Sequence, residues 1–355
     1  MTGTSDNVWS ADDTSPGDVE AAMRHLLFER HAQNASFLPA RVLNLVCVVD
    51  KQWSGEIANR LGGVGRSHAS RTIVCAVEPG RKTVDAVAMV AAEQDPQPGE
   101  LAPTRETVIL TVGETHLDRL DTLVRPLVVT DLPTAVWSPH GHHEAVDALR
   151  AMSQVVLLDT DDESDPPETL PRARSLAEEL YVVDLAWLRT TPWRERIAAT
   201  FDPVPLRREL RTVSSVEVRH HPESSASAVL LVGWLASRLD WRTERLVRRD
   251  TRLAGSAHSR RQDVDITLTP APGQEVRGLE GLTLQTASGR HLSLDRGPGG
   301  LRARYRNEHR RVEREWTVLG ASRGEGGILG NAIRQALARD HTYLPALEAA
   351  VGMAR

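Results

Sequence analysis

Val42-Leu43-Asn44-Leu45-Val46-Cys47-Val48-Val49 is an almost unbroken apolar run, rich in β-branched residues. A strand that is apolar at odd and even positions alike buries both faces, as parallel strands do when helices cover each side of their sheet. Thr72-Ile73-Val74-Cys75-Ala76-Val77 repeats the pattern, and shorter runs follow at residues 107–112, 134–137 and 154–158. Residues 53–61, 115–125 and 143–152 supply helices between them. This alternation predicts an α/β unit, an open and mostly parallel sheet with helices on both faces. Residues 83–92 read equally as strand or helix, and 95–99 as a loop.

Outward from this core the pattern changes. Residues 1–18 are poor in apolar side chains and read as a disordered tail. Asp18 then caps a helix whose apolar side is Ala22, Leu26, Leu27 and Phe28. Residues 159–171 are acidic and proline-bearing and read as a linker. They place the domain boundary at 165/166, giving an α/β domain over 19–165 and an α+β domain over 166–355, with 202–206 as the rival boundary. A helix spans 172–181, and Thr191-Pro192 reads as a cap and first turn for a helix to Phe201. Beyond 213 the period shifts to two. Strands at 215–219, 263–269, 281–286, 291–294, 301–306 and 312–319 form an antiparallel meander, half-buried on one face. Helices at 225–239, 326–339 and 343–350 flank it.

Composition narrows the function classes. The 355 residues are 40% hydrophobic and 26% charged, and 43 basic side chains against 48 acidic ones leave a net charge of −5. Wholesale attraction to nucleic acid or anionic lipid does not follow from that balance. No apolar run approaches the roughly 20 residues of a membrane span, and the N-terminus has no signal-like core. A cytoplasmic location is the expectation. Charge is unevenly spread: residues 204–323 hold 22 Lys/Arg against 14 Asp/Glu, while the remainder holds 21 against 34.

The local motifs are weak. Leu61-Gly62-Gly63-Val64-Gly65-Arg66-Ser67 resembles a phosphate-cradling loop, but a helix precedes it and a strand follows, the reverse of a dinucleotide fingerprint. A helix end with glycines in its cap explains it better. Gly324-Glu325-Gly326-Gly327 opens a helix or serves as a connector. Ser138-Pro139-His140-Gly141-His142-His143-Glu144 gathers imidazoles without a second ligand cluster, so a solvated loop is preferred to a zinc site. His220-His221 is weaker still. Cys47 and Cys75 fall in core strands and read as inert thiols. There is no Gly-x-Ser-x-Gly elbow and no local pairing of nucleophile and base. Neither catalytic residues, nor a cofactor, nor a metal site is assigned.

Eight of the 14 aromatic residues are tryptophan. Trp and Arg anchor protein interfaces, because each combines apolar area with a polar tip. Trp187-Leu188-Arg189-Thr190-Thr191-Pro192-Trp193-Arg194-Glu195-Arg196 interleaves two Trp with three Arg, and Trp137 follows Asp131-Leu132-Pro133. Trp137, Trp187, Arg189, Trp193, Arg194 and Arg196 are therefore candidate partner-interface residues. The alternative is that the rings fill a core otherwise short of aromatics, the reading preferred for Trp234.

The segment Asp184-Leu185-Ala186-Trp187-Leu188-Arg189-Thr190-Thr191-Pro192-Trp193-Arg194-Glu195 resembles the D-L-x-W-x-R-x-T-P-W-R-E signature of the glucose-6-phosphate dehydrogenase assembly proteins, the OpcA family. Arg41-Val42-Leu43-Asn44-Leu45, His68-Ala69-Ser70-Arg71-Thr72-Ile73, Asp131-Leu132-Pro133-Thr134-Ala135-Val136-Trp137 and Leu231-Val232-Gly233-Trp234-Leu235-Ala236-Ser237-Arg238-Leu239 are similar and in family order. Ala69 departs from an expected proline. The resemblance spans about residues 19–350. It implies a non-catalytic factor that binds glucose-6-phosphate dehydrogenase and supports its active oligomer in the oxidative pentose phosphate pathway, without nucleic acid or membrane partners. Some relatives in photosynthetic bacteria are associated with thioredoxin control through cysteines; Cys47 and Cys75 do not match those, and that control is not carried over. The rival expectation is an α/β enzyme or sensor holding a small molecule at the carboxyl edge of the sheet, lined by Asp50, Glu78, residues 112–114, residues 138–140 and residues 159–161.

Overall fold

Every position from Leu43 to Val49 is buried, so both faces of this strand are covered, as its apolar run requires. The computed structural model describes all residues except 1–2, 6, 35–40, 66–69, 93–103, 140, 163–164, 310, 320–323 and 337. The expected loop at 95–99, together with His68, Ala69 and His140, lies outside the described residues. The chain divides into two compact units, Met1–Leu158 with Leu180–Val183, and Asp159–Glu179 with Asp184–Arg355. It passes between them three times rather than across one boundary.

The first unit holds β1 (Gly3–Ser5), β2 (Val8–Ala11), α1 (Pro16–Gln33), β3 (Leu43–Asp50), α2 (Ser54–Gly65), β4 (Ser70–Val77), β5 (Asp85–Ala92), β6 (Thr104–Val112), α3 (Leu120–Val124), β7 (Thr134–Trp137), α4 (His143–Leu149), β8 (Val155–Leu158) and most of β9 (Tyr181–Asp184). The sheet order is β1-β2-β5-β6-β4-β3-β7-β8-β9. The run β6-β4-β3-β7-β8 is parallel, and β5, β2 and β1 extend it antiparallel. Numbered from β3, the order from β6 to β9 is 3-2-1-4-5-6, that of the doubly wound dinucleotide-binding sheets. Residues 83–92 settle as a strand, with β5 paired to β6.

The tail is the first correction. Val8–Ala11 pairs with β5, and α1 starts at Pro16 under a capping box in which Ser15, not Asp18, is the cap. Val8, Trp9 and Ala11 carry enough apolar area to extend the edge. Within α1, Leu26 is buried but Phe28 is 71% exposed.

Buried polar side chains fix the loops. Asn44 donates to the Val129 and Leu132 carbonyls (3.0 and 3.3 Å) and accepts from the Val129 amide (2.9 Å). It thus clamps the turn before β7 onto β3. Glu106 on β6 receives Arg71 of β4, at 2.7–2.8 Å, together with Arg41. Three segments that carry the family resemblance therefore meet through hydrogen bonds inside this unit.

The second unit holds α5 (Pro166–Ala177), α6 (Leu185–Arg189), α7 (Thr191–Phe201), α8 (Val204–Arg207), β10 (Val213–His220), α9 (Ser225–Leu239), β11 (Arg242–Thr243), β12 (Val247–Arg249), β13 (Arg252–His258), β14 (Asp263–Pro270), β15 (Leu279–Thr286), β16 (Arg290–Gly297), β17 (Gly300–Asn307), β18 (Val312–Leu319), α10 (Gly324–Gln335) and α11 (Tyr343–Ala354). Part of the expected linker is helix. Pro166 and Pro167 occupy the first turn, where the missing N–H is no loss. The sheet is not a simple meander. Its order is β11-β13-β14-β10-β15-β16-β17-β18, and β10 runs parallel to β14. The β10–β14 connection carries α9 over one face. That face buries Val216, Val218, Ile266, Leu268, Leu282 and Leu284, while alternate residues stay outside. Gly233 lets α9 cross α11 closely, since a Cβ there would lie 2.3 Å from the Ala346 carbonyl oxygen.

Asn44→Leu keeps the side-chain volume but strips partners from two carbonyls and an amide. We expect a loss of about 2–3 kcal/mol in urea unfolding with an unchanged m-value.

Candidate functional site

Asp184 ends β9 and caps α6, accepting from the Ala186 amide at 3.0 Å. Its carboxylate also accepts from the Thr160 amide (3.2 Å), the Thr160 hydroxyl (2.9 Å) and the Tyr343 hydroxyl (3.0 Å). One turn on, Arg189 forks onto Asp159, with Nη1 to Oδ1 at 2.7 Å and Nη2 to Oδ2 at 2.6 Å. Asp161 lies 3.7 Å from the same guanidinium and accepts from the amide (2.9 Å) and hydroxyl of Ser227 on α9. Trp187 donates its indole N–H to Asp340 (2.8 Å), and its ring lies 5.5 Å from that of Tyr343. The Arg194 guanidinium stacks 3.5 Å above the Trp187 ring centroid and donates to Thr190 and Thr191 at 3.0 and 2.9 Å.

Burial dominates the electrostatics. It pushes the Asp184 carboxyl up to about 7, with Asp159 adding repulsion. Asp161 is raised for the same two reasons, in the same order. Burial lowers the Arg194 guanidinium to about 10, partly offset by Asp340. Asp340 is also desolvated, but hydrogen bonds from Thr342 and Trp187 and the charge of Arg194 outweigh that and hold it low.

The candidate interface residues therefore have occupations of their own. Trp187 and Trp193 are 1% exposed and Trp137 is 4% exposed. Arg189 and Arg194 are buried as well, and Arg196 alone of the six is half-buried. A ring enclosed this far offers no area for docking in this conformation, so burial supports the core reading that the sequence left open. Trp234 is only part-buried. The α7 cap falls at Thr190, one residue before the expected Thr191. Sequence reasoning missed the acids, Asp159, Asp161, Asp184 and Asp340. The available signal was the pairing rule that buried arginines need carboxylates, which for Asp159 and Asp161 had to be applied to a stretch read as linker.

In the first unit, the carboxyl ends of β3, β4, β6 and β7 bring Asp50, Glu78, Glu114 and Ser138 to one edge. The order reverses between β3 and β7, where dinucleotide sheets hold their ligand. Here His142 bonds Asp50 across that point (3.0 Å) and Ser138 accepts from the His142 amide (3.1 Å). Lys51 pairs with Glu78 (2.8 Å), and Arg81 joins Glu78 to Asp85. These partners hold the Glu78 carboxyl below its usual range. The turn after β3, Lys51–Trp53, is a short 3-10 helix without glycine, so it lacks the close-approach backbone that a pyrophosphate needs. Gly62, Gly63 and Gly65 belong to the end of α2, and Gly324 opens α10. No three His, Cys, Asp or Glu side chains among the described residues are grouped to hold a metal.

Cys47 pairs with Val74 and Cys75 with Val48 across the parallel β3–β4 register, so the two thiols point to opposite faces of the sheet. Both are buried and free. Desolvation raises the Cys75 thiol to about 12 and carries Cys47 well above its usual range.

This architecture is that of a two-unit protein built on a dinucleotide-type sheet and a second, mixed sheet. A putative oxidoreductase from Bacillus subtilis has a similar fold, with a TM-score of 0.50 at 8% identity, covering 88% of this chain and 95% of that one. The glucose-6-phosphate dehydrogenase subunit N-terminal domain matches residues 63–175, and the C-terminal domain of the same description matches 180–347. The chain belongs to the OpcA family of glucose-6-phosphate dehydrogenase assembly proteins. A putative OxPP cycle protein OpcA of Synechococcus elongatus is 31% identical over 140 residues, 38% of this chain and 32% of that protein. Its namesake in Nostoc punctiforme is 29% identical, over 38% of this chain and 30% of its own. The match thus spans about a third of those relatives' length.

Trp193→Ala should cost ~3–5 kcal/mol of unfolding free energy, the loss expected of an enclosed ring, measured by denaturant titration. Asp184 supplies a pH test. An unfolded aspartate titrates near about 3.9, and the folded one near about 7. Between these values only the folded state keeps the proton. Its contribution is therefore full below the unfolded value and is lost as pH rises through the folded one. The melting temperature of the native protein should fall relative to Asp184→Asn between about pH 4 and 7 and level off above; parallel curves would contradict this assignment.

Proposed function

We propose that this chain is a non-catalytic partner of glucose-6-phosphate dehydrogenase, binding that enzyme and supporting its active oligomer in the oxidative pentose phosphate pathway. The observation that carries the reading is the ordered match of both halves of the chain to domains described as those of a glucose-6-phosphate dehydrogenase subunit. The cyanobacterial relatives, named for the OxPP cycle, support the same pathway. The local chemistry supports a role without turnover. The buried carboxylates of the second unit accept from Thr160, Ser227, Tyr343 and Arg189, which leaves them as structural anchors rather than free bases. At the sheet edge of the first unit, Asp50 and Glu78 bond His142 and Lys51. The rival reading, a small-molecule site on that edge, therefore has less support.

A protein that prefers one state of an enzyme shifts the population by its differential affinity for the two states. Co-expression with the dehydrogenase of the same host should yield a co-eluting complex on size exclusion. Dehydrogenase activity should be higher with this chain than without it, and the chain alone should not turn over glucose 6-phosphate. Separate elution with unchanged activity would refute the reading.

A further inference from the structure

Several arginines of the second unit are paired with acids at its surface. Arg219 pairs with Glu280 and Asp295, Arg277 with Asp162 and Glu223, and Arg304 with Glu313 and Glu315. The β12–β13 hairpin and the two residues before it gather four exposed arginines within eight positions. Arg245, Arg248, Arg249 and Arg252 are all exposed, and none of their guanidinium groups has a hydrogen-bond or ion-pair partner among the described residues. The hairpin's only acid is Asp250, in its turn.

The hairpin is held firmly. The Leu246 amide donates to the Met353 carbonyl (2.8 Å), and Leu246 is buried. Gly255 admits Leu246 to the neighbouring strand, since a Cβ there would lie 3.0 Å from the Leu246 side chain. Its arginines therefore stand on a rigid support, which lowers the ordering cost of docking. Beside them is a cavity of about 230 Å³ whose lining mixes apolar Val229, Leu246, Leu253 and Ala354 with Arg245 and Arg248. Asp165 is the one acid in that lining among the described residues. Arg248 pairs with Leu253 across the hairpin, and paired residues share a face, so the cation and the apolar wall act together. Among the described residues β12 pairs with β13 alone, and all three of its residues are exposed.

We propose that the β12–β13 hairpin and this cavity form the surface that docks an acidic segment of the partner enzyme, its carboxylates on Arg245 and Arg248 and an apolar side chain in the cavity. The inference rests on the proposed function and names the contact face for it. Charge complementarity selects an acidic partner, and Leu253 and Ala354 in the cavity lining offer a protein side chain an apolar contact beside the cations. No exposed aromatic ring interleaves these arginines to stack a base, Trp241 being buried.

The experiment measures association with the host's glucose-6-phosphate dehydrogenase by size exclusion and titrated activity. It compares the native chain, Arg245→Glu/Arg248→Glu, Ala354→Trp and Arg302→Glu. The double charge reversal should weaken association roughly tenfold or more at low salt, with a smaller gap at high salt. Ala354→Trp, which fills the cavity without changing charge, should weaken it as well. Arg302→Glu, on β17 of the same unit, should bind normally, and all melting temperatures should agree. Normal binding by the double variant overturns the docking surface while leaving the proposed function standing. Failure of the native chain to associate overturns both. Duplex DNA bound by the native chain and lost in the double variant, with enzyme association intact, makes the hairpin a nucleic-acid surface and overturns the proposal.

Discussion

The carboxylate of Asp184 receives four hydrogen bonds inside the protein, from Thr160 twice, Ala186 and Tyr343. A buried carboxylate that lacks donors is among the most costly groups a fold can hold, so its surroundings are committed in advance. Residues near 160, 184–194 and 340–343 must come together for that one group to be satisfied. Arg189 makes the same demand with opposite sign, and Asp159 answers it bidentately. Once these pairs are in place, Trp187 has its indole acceptor in Asp340 and its ring between Tyr343 and Arg194. The order of the second unit around α6 and α7 follows from the need to satisfy buried polar atoms, with apolar packing filling the space between.

The first unit solves the same problem with neutral and charged groups. Asn44 holds the turn before β7, and Glu106 holds Arg71 and Arg41. These residues lie in or bind to the segments that gave the family resemblance. Apolar strand residues exchange freely with one another at similar volume, whereas a buried Asn or Arg has geometrically fixed partners. Motifs in such a chain are therefore records of internal hydrogen bonding as much as of function.

That distinction sets what was legible. β3 and β4 were plain, because burial on both faces writes a continuous apolar run, and α9 was plain from its length. β9 was not, since Tyr181–Asp184 is four residues long and follows a helix directly. α5 was masked by prolines that a first turn tolerates, and β11–β13 by arginines that interrupt any alternation. The parallel placement of β10 beside β14 had no local signal, because register across a crossover is decided by packing of α9. For the site, the Trp and Arg positions were visible but their roles were not. A ring with a polar tip suits an interface and a core equally well. Asp340, 153 residues from Trp187, accepts its indole N–H and so supports the core reading, and no local window contains both.

Arginine has two uses in the second unit, and the structure separates them by partner. Arg189 and Arg194 are enclosed with acceptors already in reach, so their charge is consumed within the fold. On the β12–β13 hairpin the guanidinium groups stand in solvent and pair with no acid among the described residues, and water screens their charge. An exposed unpaired charge adds little to stability. Its worth lies in the free energy it releases when a complementary carboxylate excludes that water. Arg245, Arg248, Arg249 and Arg252 against Asp250 place part of the positive excess of residues 204–323 on one hairpin, tied by the Leu246 amide to the Met353 carbonyl, where a complementary carboxylate can collect several of these charges at once.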